Sequence, residues 1–332
     1  MRPRLTRLAS ATIALLAIAA SAPQSGSELT GLKGEIRVDG SSTVYPITEA
    51  VAEDFSKAAK GVRTTVGISG TGGGFKRFCK GEIDISDASR PISKAEVDTC
   101  KGAGIEFTEI PIAYDGLCIV INKQNTWATK LTLDQIRKIY SADGTAKTWK
   151  DIDGSWPDRP IKVYSPATDS GTFDYFKEVT MGKDGKVRAD MSVSEDDNVL
   201  VNGVAGSEDA IGYFGFAYYT ENKDKLTAVA VNDGKGAVLP SDATILDGSY
   251  APFSRPVFIY VNRKSADRPE VAAFVNFYLQ NAAKLAKEVG YTPLPESIYG
   301  TANANWKARR TGTQFLDASG ARVTGALKNV YK

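Results

Sequence analysis

Asp39-Gly40-Ser41-Ser42-Thr43-Val44-Tyr45-Pro46 is the stretch on which the fold turns. Before it, residues 35–38 alternate polar and apolar. After it, Ile47, Val51, Ala52 and Phe55 recur at helical spacing in a run that reaches residue 60. A strand therefore feeds a hydroxyl-rich turn, and the turn feeds a helix. Pro46 fits the first helical turn, where its missing N–H costs little.

The same order recurs farther along. Gly67-Ile68-Ser69-Gly70-Thr71-Gly72-Gly73-Gly74 follows the β-branched run Thr64-Thr65-Val66 and precedes a predicted helix over 75–80, so it reads as a small-residue loop. Ser170-Gly171-Thr172-Phe173 opens another helix. Each start leaves about four backbone N–H groups without intrahelical partners, at the positive end of the aligned peptide dipoles. Glycine lets an anion approach the main chain, and Ser or Thr adds hydroxyl donors. One Ser-x-Thr start is an ordinary helix cap. Several in the same strand-to-helix setting point to an anion.

Strand and helix signals alternate over 35–60, 64–80 and 107–122. They continue with a helix over 133–140, strands over 161–164 and 211–216, and a long helix over 269–289. That alternation argues an α/β fold, with the polar stretch 141–160 a loop inside a domain. Roughly 300 residues exceed what one core holds, so two lobes are expected.

The chain carries 41 Lys and Arg against 39 Asp and Glu, a formal +2. Arg2, Arg4 and Arg7 precede an apolar run over 8–20 that is too short to span a bilayer comfortably. Residues 1–22 read as a secretory signal cleaved around Ala20 to Ala22, with a membrane anchor as the competing reading. Without those three arginines the +2 becomes −1. A near-neutral protein with no basic tract gives no reason to expect nucleic-acid binding.

The chain contains no histidine, which excludes Ser-His-Asp and Cys-His hydrolases. The 67–74 loop lacks the Gly-Lys-Ser/Thr ending of a nucleotide-binding P-loop. Cys79, Cys100 and Cys118 match no zinc spacing, so neither a metal nor a cofactor is expected. In an exported chain a pair should oxidise. Cys79 with Cys100 is the expected disulfide, since each sits near the end of a short predicted helix flanking the same loop. Cys118 lies in an apolar run and is expected to pack as a small hydrophobe.

In Ile83-Asp84-Ile85-Ser86-Asp87-Ala88-Ser89-Arg90-Pro91, apolar and polar residues alternate up to Asp87. An acid beside an anion site has a chemical use. Monohydrogen phosphate has a proton to donate to a buried carboxylate, whereas sulfate has none and would meet an unpaired negative oxygen. Selectivity then comes from an element that repels the wrong anion. Asp87 also suits a cap of the turn into Pro91. Arg90 can fork onto an oxyanion, neutralise Asp87 or lie solvated at the surface.

Together with Gly212-Tyr213-Phe214-Gly215-Phe216 and Ser254-Arg255-Pro256, these segments resemble the PstS-type periplasmic phosphate-binding proteins of ABC transporters, over nearly all of the mature chain. The resemblance implies two α/β lobes joined by two hinge crossings, closing on a ligand in the cleft between them. It implies phosphate contacts from Ser42, Thr43 and the Val44 amide, from Thr71 or Ser69, from Asp87, and from Ser170, Gly171 and Thr172. Many members carry an arginine four residues before the Ser-Gly-Thr serine, where this chain has Pro166. Either another cation such as Arg90 substitutes, or neutral donors alone hold the anion.

Chain order places lobe 1 over 30–113 and 256–332 and lobe 2 over 114–255, with crossings near Ala113 to Gly116 and Ser254 to Pro256. The protein is then expected to be a periplasmic, monomeric binder of inorganic phosphate and not an enzyme, passing its ligand to a permease and its ATPase. The alternatives are a binder of sulfate or arsenate and a phosphoester-processing enzyme. The acidic run Glu195-Asp196-Asp197 reads as a solvated loop or helix start.

Overall fold

The computed structural model describes residues 29–332 apart from Thr145, Asp169, Lys183, Glu195 and Thr324. The signal reading over 1–22, and Glu195 of the acidic run, lie outside the described residues. Asp196 caps a helix, Asp197–Ala205, by accepting from the Asn198 amide at 2.9 Å.

Among the described residues the strands are β1 (Gly34–Gly40), β2 (Val62–Ile68), β3 (Ile85–Ala88), β4 (Phe107–Asn122), β5 (Lys130–Thr132), β6 (Lys162–Pro166), β7 (Ser192–Ser194), β8 (Ala210–Gly215), β9 (Leu226–Ala228), β10 (Ala230–Asn232), β11 (Ala237–Val238) and β12 (Ser254–Asn262). The main sheet runs β2-β1-β3-β12-β4-β8-β6-β7, with β9 also on β4, and a small sheet joins β11, β10 and β5. β1 buries Ile36 and Val38 and exposes Glu35 and Arg37, as its alternation predicts. It lies parallel to β2 and β3, in a register that sets Gly40 opposite Ile68 and Asp87. Three of the motif-bearing loops thus leave the carboxyl ends of neighbouring parallel strands, the usual place for a ligand in such sheets.

β4 links the two ends of the sheet. All 16 of its residues are buried, which accounts for the unbroken apolar run over 117–121. Residues 107–116 pair with β12, and residues 117–121 pair with β8. The β12 register slips between Val257 and Phe258, which face Ala113 and Pro111. The bulge explains how Pro111, without an N–H, sits inside a central strand.

The helices follow the predicted periodicities closely at Tyr45–Ala58, Leu133–Tyr140 and Pro269–Glu288. The glycine-rich stretch does not. It is helical from Gly70 to Phe78 rather than a loop leading to a helix at 75. The reason is close packing, because a Cβ on Gly74 would lie 2.7 Å from the Gly40 Cα and 2.8 Å from the Ser86 Oγ. Tertiary contact here outweighs the poor helix propensity of glycine. Cys79 and Cys100 form the expected disulfide, joining the end of this helix to that of Lys94–Gly102, and Cys118 is free and buried.

The C-terminal segment is pinned to β4 by Glu109. Its carboxyl accepts from Tyr260 Oη at 2.8 Å, Thr313 Oγ1 at 2.6 Å and the Gln314 amide at 3.0 Å. Burial outweighs these bonds and pushes its pKa from 4.5 to about 7. Between those values the unfolded chain has released a proton that the fold still holds, so stability falls as pH rises through the window. The loss amounts to roughly 3 kcal/mol. Glu109→Gln is expected to flatten the melting-temperature profile from about pH 5 to pH 8. Parallel profiles for the two proteins would overturn this assignment.

Candidate functional site

Gly40 ends β1 with a φ of 146°, and a Cβ there would lie 2.2 Å from the Asp87 carbonyl oxygen, so only glycine fits. The Ser41 amide donates to that same oxygen at 3.0 Å. The chain then turns, and Val44 N–H donates to the Ser41 carbonyl at 3.1 Å. The Val44 amide, expected at the ligand, is therefore occupied by its own turn. Among the described residues the Ser42 and Thr43 amides make no hydrogen bond. Ser42 lines the cleft.

Asp87 is fully buried beneath this turn. Its Oδ1 accepts from Thr48 Oγ1 at 3.1 Å, while Oδ2 has no partner among the described residues. Burial raises its pKa well above the carboxylate range, the Thr48 hydrogen bond opposes that rise, and the charge of Asp39 adds to it. Thr71 faces the cleft and holds Ser89, with Oγ1 accepting the Ser89 amide at 3.1 Å. Ser69 is exposed and donates its hydroxyl to Asp39 at 3.0 Å instead. Arg90 lines the cleft, but its guanidinium forks onto Glu96 at 2.8 and 2.9 Å. Glu96 is itself fixed by the Ser93 capping box.

The opposite wall is helix Gly171–Met181, which lines the cleft through Asp174, Tyr175, Lys177, Glu178 and Val179, whereas Ser170, Gly171 and Thr172 at its start are not among the lining residues. Ser170 caps it, accepting the Thr172 amide at 3.2 Å. Phe176 anchors the helix by stacking on Tyr213 at 3.8 Å. Gly171 lies directly against the first wall, where a Cβ would come within 2.6 Å of the Thr43 Cα and 2.7 Å of its nitrogen. Thr43 Oγ1 is 3.5 Å from the Gly171 carbonyl. The two helix starts thus touch through backbone beside a cleft of about 850 Å³ that Ser42, Thr43, Thr71, Arg90, Tyr175 and Arg255 help to line.

Arg255 is the cation that the sequence reading did not place in the site. It stands opposite Asp115 in the β12–β4 register, and its Nε donates to that carboxylate at 3.2 Å. Its Nη2 donates to Thr43 Oγ1 at 3.0 Å, and its guanidinium lies 3.5 Å from the centroid of the Tyr175 ring. Asp115 is buried so completely that its pKa is raised even with this partner, which lowers it. The available signal was Ser254-Arg255-Pro256 itself, a lone charge entering the apolar run that becomes β12.

Residues 17–282 match the PBP superfamily domain. The chain is 47% identical over 335 residues to Protein SphX of Synechococcus elongatus, covering 100% of this chain and 98% of that one. It is 45% identical over 269 residues to the phosphate-binding protein PstS of Staphylococcus saprophyticus, covering 80% and 82%. Its structure is similar to that of a "possible phosphate binding protein" from Planctomyces limnophilus, with a TM-score of 0.81 and 46% identity over 84% of this chain and 99% of that one. An ABC-type phosphate transport receptor from Vibrio cholerae aligns with a TM-score of 0.62 and 25% identity, over 78% and 100%.

Proposed function

This chain belongs to the PBP superfamily and, within it, to the PstS-type phosphate-binding proteins, and from that premise we propose how it holds its ligand. It captures inorganic phosphate and delivers it to an ABC transporter. The anion sits between the turn at Ser42 and Thr43 and the helix start at Ser170, Gly171 and Thr172, with Thr71 a third donor. Arg255 supplies the positive charge that Pro166 does not. The carrying observation is Asp87, a buried carboxyl with one oxygen unpartnered, whose main-chain carbonyl holds the Ser41 amide at the start of the turn that leaves the Ser42 and Thr43 amides without partners. Such a pair of features suits an anion that brings its own proton.

Lobe 1 comprises 30–113 and 256–332, and lobe 2 comprises 114–255. The change of β4 from β12 to β8 after Gly116 supports a crossing there. Two crossings make closure a hinge motion driven by the ligand's contacts to both walls. The protein acts as a monomeric binder rather than an enzyme, outside the cytoplasm, and meets the permease and ATPase of its transporter there. No helix of the described residues is long and apolar enough to cross a membrane.

Isothermal titration of the mature protein tests this reading. Phosphate and arsenate are expected to bind, and sulfate to bind weaker by a factor on the order of 10⁴. Gly171→Ala should weaken phosphate about 100-fold with little change in melting temperature, because the new methyl meets the Thr43 backbone and is accommodated only by moving the two walls apart, which spoils the site between them more than the fold of either. Equal binding of phosphate and sulfate by the unmodified protein would sink the ligand assignment.

A further inference from the structure

Half of the Asp87 carboxyl is already held from behind. Thr48 Oγ1 lies 3.1 Å from Oδ1, and the same hydroxyl lies 3.0 Å from Tyr278 Oη. Three elements meet in this chain of contacts, since Asp87 is on β3, Thr48 on helix Tyr45–Ala58 and Tyr278 on helix Pro269–Glu288. Thr48 and Tyr278 are fully buried, and neither lines the cleft. Nothing in the proposed ligand set includes them.

Proton counting gives the chain a direction. A hydroxyl has one hydrogen to donate and lone pairs with which to accept. Thr48 is the contact of Tyr278 Oη among the described residues, and Asp87 Oδ1 in its carboxylate form only accepts. The arrangement that satisfies every atom has Tyr278 donating to Thr48 and Thr48 donating to Oδ1. We propose that Tyr278 and Thr48 are positioning residues that hold Oδ1 as an acceptor, present Oδ2 alone to the ligand, and so set the discrimination between phosphate and sulfate. The inference rests on the reading of Asp87 as the acceptor of the phosphate proton.

The physical consequence follows from what Asp87 becomes without them. Its carboxyl is buried and lies near the charge of Asp39, and both favour taking up a proton, while the Thr48 hydrogen bond opposes it. A protonated Asp87 is a donor. Sulfate, which the carboxylate repels, accepts a hydrogen bond from the neutral acid. The Tyr278–Thr48 pair therefore acts on sulfate exclusion more than on phosphate affinity.

The test is titration of the full mature protein with inorganic phosphate and with sulfate, for the unmodified chain, Thr48→Val, Thr48→Ser and Tyr278→Phe. Thr48→Val is expected to reduce the phosphate-to-sulfate ratio at least about tenfold, mainly by strengthening sulfate, in line with the loss of one hydrogen bond to a charged group. Tyr278→Phe should move the ratio the same way by less. Thr48→Ser, which keeps the hydroxyl, should restore it. An unchanged ratio in Thr48→Val, or equal losses for both anions as a purely structural role would give, overturns the inference. Failure of the unmodified protein to prefer phosphate would instead overturn the underlying reading, and the inference with it.

Discussion

Asp87→Asn is expected to abolish the preference for phosphate over sulfate, collapsing a ratio on the order of 10⁴ to about 10 or less. The amide is nearly the same size and keeps an acceptor for Thr48, so the change is in hydrogen-bond sense and charge alone. Where Oδ2 had no partner, the variant offers an N–H₂ group. Monohydrogen phosphate then loses the acceptor for its proton, and sulfate gains a donor where it had met a negative oxygen. Phosphate should weaken and sulfate strengthen, a crossing that general damage to the site does not produce. Stability provides the control. The pKa of Asp87 is raised in the fold, chiefly by burial, so as pH rises above the unfolded value the native protein loses stability that the asparagine variant retains. At neutral pH the variant should melt no lower than the parent. Paired titrations and melts decide the matter, and retention of the parent selectivity would remove Asp87 from the ligand.

Much of the local structure around the candidate site was legible because its logic is local. The alternation of β1, the proline in the first turn of Tyr45–Ala58 and the serine cap at Gly171 all depend on residues within a few positions of one another. Arg90 was open to the same local reading. Ser93 and Glu96 spell a capping box, and a glutamate fixed there is well placed to take the arginine away from a ligand. What escaped the sequence depends on distant partners. Helix Gly70–Phe78 starts among glycines because Gly74 must pass Gly40 and Ser86, contacts that no window around residue 74 contains. Thr48 and Tyr278 are 230 residues apart. Arg255 meets Asp115 from 140 residues away, through the pairing of β12 with β4. The Val44 amide failed for a smaller reason, since the tightness of the turn that uses it is a matter of backbone angles rather than residue type.

Arg255 carries the other large expected effect, and two consequences must be separated in its variants. Arg255→Met removes the partner of Asp115, whose side chain is only 6% exposed. An unpaired carboxylate at such depth costs about 3–5 kcal/mol, enough to lower the melting temperature on the order of 10 °C. Weak phosphate binding by that variant would therefore prove little. The double variant Arg255→Met/Asp115→Leu removes both charges and refills the space with apolar side chains, a change that is often neutral or stabilising. Its melting temperature should return to near that of the parent. Its phosphate affinity should not. Arg255 also donates to Thr43 from one wall and packs its guanidinium against Tyr175 from the other, so on the proposed reading it would give charge to the anion as well as a contact between the walls. Loss of a charge-assisted hydrogen bond at the ligand predicts a drop of roughly 10- to 100-fold. Full phosphate affinity in a stable double variant would show that Arg255 only pins β12 to β4, and that neutral donors and helix starts hold the phosphate unaided.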